Sequence, residues 1–243
     1  MELELKLSKF LKGLKHGIPI FLGYLSVSFG FGILAVKNGL SVTEAAAISL
    51  FNLTSAGQAA GVGIIAAGGS ITEMILAQII INLRYSLMSL SLSQKLDKSF
   101  TLPRRLIVSY GITDEIFAMA SVQPGRITPW YMYGIILIST LGWVLGTILG
   151  AAAGTILPAE VSDALGIMLY GMFIAIIIPP AKINKGILVG VLIAAAASAA
   201  LYYLAPFISS GFAVIICAVI AAALCAVLFP KNDPANVEDG ESA

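Results

Sequence analysis

Three charged side chains, Arg84, Asp114 and Glu115, lie within stretches of the sequence that are otherwise apolar. A guanidinium group can hold a carboxylate through two parallel hydrogen bonds, and a poorly solvated carboxylate can take up a proton near neutral pH. Charges at membrane depth are costly and are usually retained for transport, coupling or partner binding. We therefore expect these three side chains to mark the functional site.

The positions of the two acids suggest that one pairs with Arg84 and the other carries a proton. Adjacent acids point about 100° apart on a helix, so one can pair with Arg84 while the other faces a cavity. We expect Arg84 to contact one of the two acids, with Glu115 favoured as its partner and Asp114 as the proton carrier. The alternatives are a snorkelling arginine and an acidic helix start capped by Thr113. Asn82, two residues before Arg84, should point towards different neighbours.

A second polar group interrupts the apolar stretch 45–66. Ser49 and Asn52 share a helical face, and Ser55 continues it. This polar density exceeds what close helix packing requires, and backbone exposed at such a break could hold an amino or carboxylate group. We assign no catalytic residue. The candidate substrate-binding or coupling residues are Asn52, Ser55, Gly57, Gln58, Asn82, Arg84, Thr113, Asp114 and Glu115.

The elements that must position these residues are membrane helices. Hydrophobic residues make up 58% of the chain and charged residues 11%, whereas soluble proteins contain about 25% charged residues. No charge occurs from Gly186 to Pro230, and a helical crossing needs about 20 apolar residues. The sequence predicts an all-α polytopic membrane protein with one transmembrane domain at 17–230. Residues 1–16 are expected to form a basic or amphipathic segment on the inner membrane face, and 231–243 an acidic tail.

Sparse histidine and cysteine exclude several kinds of site. His16 is the only histidine, and both cysteines, Cys217 and Cys225, lie in the last apolar segment. A Ser-His-Asp triad in the core, a histidine zinc site and a disulfide framework are therefore not expected. We expect no metal, no cofactor, no enzymatic activity and no nucleic-acid partner.

Positive charges favour one topology. If every apolar segment crosses, the loop 97–105 lies outside. If 45–66 and 107–123 instead enter and leave on one side, every loop or terminal lysine and arginine except Lys37 lies inside. Both segments also carry polar, glycine-containing breaks that suit discontinuous helices. We favour six full spans plus two broken or re-entrant segments, with eight crossings as the alternative, and a cytoplasmic N-terminus. The apolar segments are 17–36, 45–66, 71–92, 107–123, 129–156, 164–181, 186–204 and 211–229.

Glycine-marked stretches suggest an internal repeat, which in secondary transporters is often inverted and flanks the substrate site. Residues 30–32 followed by 41–45 resemble residues 142–146 followed by 161–164. Chance similarity between Gly/Ala-rich helices is the alternative. The glycines from Gly142 to Gly154 recur every four residues, which predicts a helix-packing stripe.

Several motifs together resemble a known family. They are Gly17-Ile18-Pro19, Phe29-Gly30-Phe31-Gly32, Gly39-Leu40-Ser41, Ser55-Ala56-Gly57-Gln58, Asn82-Leu83-Arg84, Thr113-Asp114-Glu115-Ile116-Phe117-Ala118 and Gly142-Trp143. Over residues 17–180 the chain resembles the AzlC-type large subunit of two-component branched-chain amino-acid exporters.

The resemblance implies a secondary transporter of a bacterial cytoplasmic membrane. Its substrates would be leucine, isoleucine and valine, with methionine as a further candidate, and export would be driven by the proton gradient. A small AzlD-type membrane subunit would be its partner, and oligomers of the chain are a further expectation. Arg84 or a half-helix N-terminus would hold the substrate carboxylate, and an acid or unwound carbonyls its amine. The alternatives are a passive channel and, less favoured, a membrane enzyme that modifies lipid.

Overall fold

The computed structural model describes residues 2–158, 160–161, 171, 173–174 and 177–229, and these residues contain helices and no strand. The prediction of an all-α polytopic membrane protein is confirmed. The chain divides into two compact units, Met1–Met172 and Phe173–Ala243. The helices are α1 (Glu2–Lys37), α2 (Val42–Phe51), α3 (Ser55–Ala66), α4 (Ile71–Ser93), α5 (Leu102–Tyr110), α6 (Asp114–Ser121), α7 (Pro129–Gly154), α8 (Lys185–Leu204) and α9 (Ser210–Leu228).

Helix length separates the spans from the other elements. Five described helices, α1, α4, α7, α8 and α9, are long and apolar enough to cross a membrane. The other four contain 8 to 12 residues. Each of these is therefore about 12–18 Å long and cannot alone cross about 30 Å of hydrocarbon. The remaining span expected from the sequence, 164–181, lies largely outside the described residues.

Glycines bring α1 and α7 into close parallel contact. A Cβ added at Gly13 would meet the backbone of Tyr131, and one added at Gly150 would meet the backbone of Phe29. Because the contacts advance along both helices together, the two helices run in the same direction. The predicted glycine stripe of α7 is thus a packing surface. Residues 2–16 form the first part of α1, and Gly13 within them packs on α7.

The first broken segment folds back on itself. Residues 52–54 separate α2 from α3. Thr54, at the start of α3, bonds Asn82 in the middle of α4, and Gly61 packs against Met74 near the beginning of α4. Thus α3 runs antiparallel to α4 and ends where α4 begins.

The second broken segment also returns to where it started. Residues 111–113 separate α5 from α6. At the entry of the segment, the Asp97 N–H donates to the Ile127 carbonyl (3.0 Å). At its exit, the Lys95 ammonium donates to the Ser121 carbonyl (2.5 Å). Both ends of the segment therefore lie beside the C-terminal end of α4.

These contacts fix the direction of the spans in the first unit. Because α4 ends beside the start of α7, and α7 is parallel to α1, α4 runs opposite to α1. The α2–α3 hairpin consequently lies on the side where α1 ends, and the α5–α6 hairpin on the side where α1 begins. This is the re-entrant arrangement favoured from the sequence, and the alternative in which both segments cross is wrong.

An inverted repeat relates α1–α2–α3 to α4–α5–α6. Each unit has a long helix, a short helix, a break and a second short helix, and the two long helices are antiparallel. Phe51-Asn52-Leu53-Thr54 and Tyr110-Gly111-Ile112-Thr113 occupy equivalent positions at the breaks. The pairing suggested from the glycines instead relates α1 to α7, which are parallel, so it is not the inverted repeat.

In the second unit, α8 and α9 pack against each other. The Asn184 side chain caps α8 by accepting the N–H of Gly186 (2.8 Å) and of Ile187 (3.3 Å). Both cysteines lie in α9 and are free.

Candidate functional site

The start of α3 is held by a ladder of polar side chains from α4. Thr54 caps α3 by accepting the Gly57 N–H (3.4 Å), and its hydroxyl donates to Asn82 Oδ1 (2.7 Å). The Asn82 amide donates to Gln78 Oε1 (3.0 Å), and the Gln78 amide donates to the Gly57 carbonyl (2.7 Å). Asn82 therefore serves α3 and not the neighbours of Arg84, as its helical position predicted.

Arg84, on α4, is linked by polar contacts to both breaks: to Asp114 beside the break 111–113, and through Tyr85 to Thr54 in the break 52–54. Its Nη1 lies 2.9 Å from Asp114 Oδ2 and 3.1 Å from Oδ1, and its Nη2 donates to the Tyr85 hydroxyl (3.3 Å). The Tyr85 hydroxyl in turn donates to Thr54 Oγ1 (3.4 Å). The Arg84 and Asp114 side chains are 41% and 34% exposed, so the pair is only partly shielded. The expected contact between Arg84 and one of the acids is confirmed.

Glu115 is not the partner of Arg84, so that preference is wrong. The Tyr24 hydroxyl lies 2.5 Å from Glu115 Oε2 and 2.6 Å from Thr113 Oγ1. Thr113 also caps α6 by accepting the Ile116 N–H (3.4 Å). Because α6 begins at Asp114, that side chain turns towards α4, and the next one, about 100° further round, turns towards α1.

Gln58 fixes the end of α2. Its side chain is 1% exposed, and its amide donates to the carbonyls of Ile48 (3.1 Å) and Asn52 (2.6 Å). Its Oε1 accepts the indole N–H of Trp143 (3.0 Å). The amide thus adds a second hydrogen bond to each of two carbonyls at the end of α2, which also accept the backbone N–H groups of Asn52 and Thr54.

A small cavity lies between the two breaks. It offers about 10 Å³ to a water-sized sphere, which is room for about one water molecule. Its walls come from five helices of the first unit, α1, α3, α4, α6 and α7, and from both breaks. The lining residues are Tyr24, Leu53, Ser55, Tyr85, Thr113, Asp114, Glu115 and Trp143.

The predicted site residues fall into three places. Ser55, Thr113, Asp114 and Glu115 line the cavity. Arg84 and Asn82 lie behind the cavity wall and hold α6 and α3. Asn52, Gly57 and Gln58 line a separate apolar groove of about 410 Å³ between α2, α3 and α4.

Sequence reasoning missed Tyr24 and Trp143 as site residues. Both are buried, and their rings meet edge to face with centroids 5.1 Å apart. One signal was available, because a phenol hydroxyl or an indole N–H within an apolar span usually finds a polar partner. The sequence of the two spans did not indicate which polar partner each of these side chains would bond.

The electrostatics of the cavity are asymmetric. Two half-helix N-termini, those of α3 and α6, meet there, and each carries a positive end of about half an elementary charge. The first turn of α6 contains Asp114 and Glu115, whereas the first turn of α3 contains no acidic residue. One wall is therefore electropositive and the other acidic. The described residues hold no group of histidine, cysteine, aspartate and glutamate that could bind a metal ion.

Comparisons with known proteins show which proteins the chain resembles. The family model described as AzlC protein matches residues 19–157, more than half of the chain. An uncharacterized membrane protein of Archaeoglobus fulgidus is 35% identical over 181 residues, covering 73% of this chain and 78% of the relative. The inner membrane protein YgaZ of Escherichia coli is 32% identical over 177 residues, covering 70% and 72%. The branched-chain amino acid transport protein AzlC of Bacillus subtilis is 22% identical over 172 residues, covering 70% and 66%. No solved structure matches the chain.

Proposed function

The chain belongs to the AzlC family, and from that premise we propose that it is a secondary transporter that exports branched-chain and other apolar amino acids. The substrate class is supported by the Bacillus subtilis relative, which is named as a branched-chain amino acid transport protein. The direction and the coupling to protons rest on the family resemblance and on the chemistry of the cavity.

The proposal rests on the two helix N-termini that face each other across the cavity. The first turn of α3 contains no acidic residue, whereas the first turn of α6 contains two. An amino acid carries a carboxylate and an ammonium group at neutral pH. The bare start of α3, at Ser55, suits the carboxylate, because the first N–H groups of a helix have no intrahelical partner. The acidic start of α6, at Asp114 and Glu115, suits the ammonium group.

The remaining cavity wall suits an apolar side chain. Leu53, Tyr24 and Trp143 supply aliphatic and aromatic surface beside the polar groups. Room for about one water molecule is too little for an amino acid, so the site must open before it can bind. We propose that the two hairpins open it alternately, since each reaches the cavity from a different side of the bundle.

Glu115 is the better candidate for the coupling proton. Asp114 forms an ion pair with the guanidinium of Arg84, which is positively charged at physiological pH. Glu115 accepts a hydrogen bond from the neutral Tyr24 hydroxyl. A proton can therefore bind Glu115 without leaving an unpaired cation. We propose Glu115 as the proton carrier and the Arg84–Asp114 pair as a fixed link between α4 and α6.

The setting of the transporter follows from the same resemblance. We propose a bacterial cytoplasmic membrane, a cytoplasmic N-terminus and a small AzlD-type membrane subunit as partner. Further copies of the chain are proposed as oligomer partners. Co-expression with such a subunit and copurification in mild detergent tests the pairing, and recovery of the tagged chain alone contradicts it.

Counterflow in proteoliposomes tests the transport function. Vesicles containing the purified protein are loaded with unlabelled leucine, and uptake of labelled leucine, isoleucine, valine, methionine, lysine and glutamate is followed. We expect saturable exchange of the aliphatic substrates and little exchange of the charged ones. Absence of exchange for the whole panel contradicts the proposal, and flux that does not saturate favours the channel alternative.

A further inference from the structure

Trp143 connects parts of the site that the proposed mechanism treats separately. Its indole N–H donates to Gln58 Oε1 at 3.0 Å, and its ring meets the edge of Tyr24 with centroids 5.1 Å apart at an interplanar angle of 80°. Gln58 bonds the end of α2, whereas the Tyr24 hydroxyl bonds Glu115. One buried side chain on α7 thus touches the residues that fix each hairpin.

The contacts on both sides of Trp143 are tight. Trp143 is 2% exposed, Gln58 1% and Tyr24 5%, so each ring or amide is enclosed by protein. Close-packed interiors respond to a displaced group by switching between arrangements and not by gradual deformation. A change in the position of Tyr24 must therefore be accommodated by Trp143, and a change in Trp143 by Gln58.

We propose that Trp143 is a positioning residue that links the protonation of Glu115 to the position of the α2–α3 hairpin. The inference rests on the proposed role of Glu115 as proton carrier. The path runs from Glu115 through Tyr24 and Trp143 to Gln58.

The physical cause is a change in hydrogen-bond strength at Glu115. The ionised carboxylate accepts a charge-assisted bond from the Tyr24 hydroxyl, and such bonds are about twice as strong as neutral ones. Protonation removes that charge and loosens Tyr24, so its ring can shift against Trp143. The Trp143 N–H then no longer fits Gln58, and the amide that bonds the end of α2 is released. The proton on Glu115 is taken from one side of the membrane and returned on the other, so no net chemistry occurs.

Other charged and titratable groups near Glu115 are identified by their helices. Tyr24 comes from α1, Arg84 and Tyr85 come from α4, and Asp114 lies on α6 itself. Arg84 is engaged with Asp114, which leaves the Tyr24–Glu115 contact as the one that changes when Glu115 takes a proton.

Trp143→Phe tests the link through transport. Phenylalanine keeps a ring against Tyr24 but cannot donate to Gln58. Because Trp143 also lines the cavity, the substitution can lower both activities, and we expect the ratio of pH-gradient-driven accumulation to counterflow to fall about tenfold. The matched control is Trp130→Phe, the same substitution elsewhere on α7, at a ring that meets Tyr133 edge to face and lies beside the Lys6 ammonium. In the control, accumulation and counterflow should change together.

Fluorescence tests the link without a transported substrate. The chain has two tryptophans, so Trp130→Phe leaves Trp143 as the sole emitter. In this variant, we expect the emission maximum to shift across the pH range in which a carboxyl group titrates, and Glu115→Gln to remove the shift. Gln58→Met should alter the emission at both ends of the titration.

These experiments separate failure of the link from failure of the proposed function. If the unaltered protein exchanges no amino acid, the proposed function fails, and the fluorescence titration still tests the link. If the emission of Trp143 does not depend on Glu115, the link is overturned, even where transport is intact. Equal loss of accumulation and counterflow in Trp143→Phe also overturns it, because that is the result of a purely structural role.

Discussion

At the scale of single residues, neighbouring acids meet different chemistry. Asp114 lies 2.9 Å from a guanidinium nitrogen of Arg84, whereas Glu115 lies 2.5 Å from the Tyr24 hydroxyl. Asp114 thus takes part in an ion pair, whereas Glu115 takes part in a hydrogen bond with a phenol. A rotation of about 100° between consecutive helical residues gives the two neighbouring acids these different partners.

Glu115→Gln should uncouple transport. The amide keeps the shape of the side chain but cannot change protonation state, so we expect gradient-driven export to be lost and counterflow to persist. Transport of labelled leucine with and without a pH gradient in proteoliposomes measures both. Glu44→Gln is the matched control, because Glu44 closes the capping box of α2 at Ser41 and glutamine can fill that role. Full pH-driven transport by Glu115→Gln would show that the coupling proton is carried elsewhere.

At the scale of elements, each break is held by a threonine at an equivalent position. Thr54 and Thr113 cap α3 and α6 with their side-chain oxygens, and each also bonds a neighbouring span, Asn82 of α4 or Tyr24 of α1. A helix that begins inside a membrane protein must satisfy its first N–H groups internally, because lipid offers no hydrogen bonds. The same residue type therefore solves the same problem in both hairpins.

Thr54→Val should destabilise the first hairpin. Valine has nearly the shape of threonine but loses both the cap and the hydrogen bond to Asn82. We expect a loss of about 1–2 kcal/mol in the free energy of unfolding, seen as a lower thermal unfolding temperature in detergent. Thr54→Ser retains the hydroxyl and serves as the control. Equal stability of the two variants would contradict the capping role.

At the scale of the whole first unit, a parallel pair of glycine-rich helices supports two oppositely inserted hairpins. The close approach of α1 to α7 leaves no space for side chains at Gly142, Gly146 and Gly150. Lipid tails are as apolar as the helix surfaces, so the hydrophobic effect does not drive membrane helices together. Close packing between helices supplies association energy instead. The pair is therefore the scaffold against which the hairpins can move.

Gly150→Ala should destabilise this scaffold. The added methyl group would collide with the backbone of Phe29, and backbone cannot give way as a flexible side chain can. We expect a loss of about 3 kcal/mol in the free energy of unfolding, together with reduced yield of folded protein on size-exclusion chromatography. Gly23→Ala is the control, since its Cβ meets nothing within 4 Å. If Gly150→Ala proves as stable as Gly23→Ala, the tight α1–α7 contact is wrong.

Cysteine labelling tests the arrangement in the membrane. We expect Thr43→Cys, at the start of α2, to react with an impermeant reagent added to intact cells, and Ser99→Cys, in the loop before α5, to be protected. Both variants are made in a background lacking Cys217 and Cys225. The contacts place the two positions on opposite sides, and the positive charges beside residue 99 favour the inside. Labelling of both contradicts the re-entrant hairpins, and the reversed pattern contradicts the cytoplasmic N-terminus.

The sequence by itself determined the features that depend on neighbours within a few helical turns. Apolar length defined the described spans, polar breaks at 52–54 and 111–113 defined the discontinuous helices, and the threonine before the acids identified a helix start. Positive charge also distinguished re-entrant from crossing segments. These properties are set by local hydrogen bonding and by the cost of placing charge or free backbone in lipid.

Only the tertiary structure decided which distant groups meet. The sequence favoured Glu115 as the partner of Arg84, and it gave no role to Tyr24 or Trp143. It grouped Gln58 with the substrate-binding or coupling candidates, and it did not show that the Gln58 amide bonds the end of α2. Each of these outcomes depends on the rotation of one helix about its axis relative to another, far away in the chain. A rotation of about 100° exchanges one residue for the next at a contact, and nothing local to either helix specifies it.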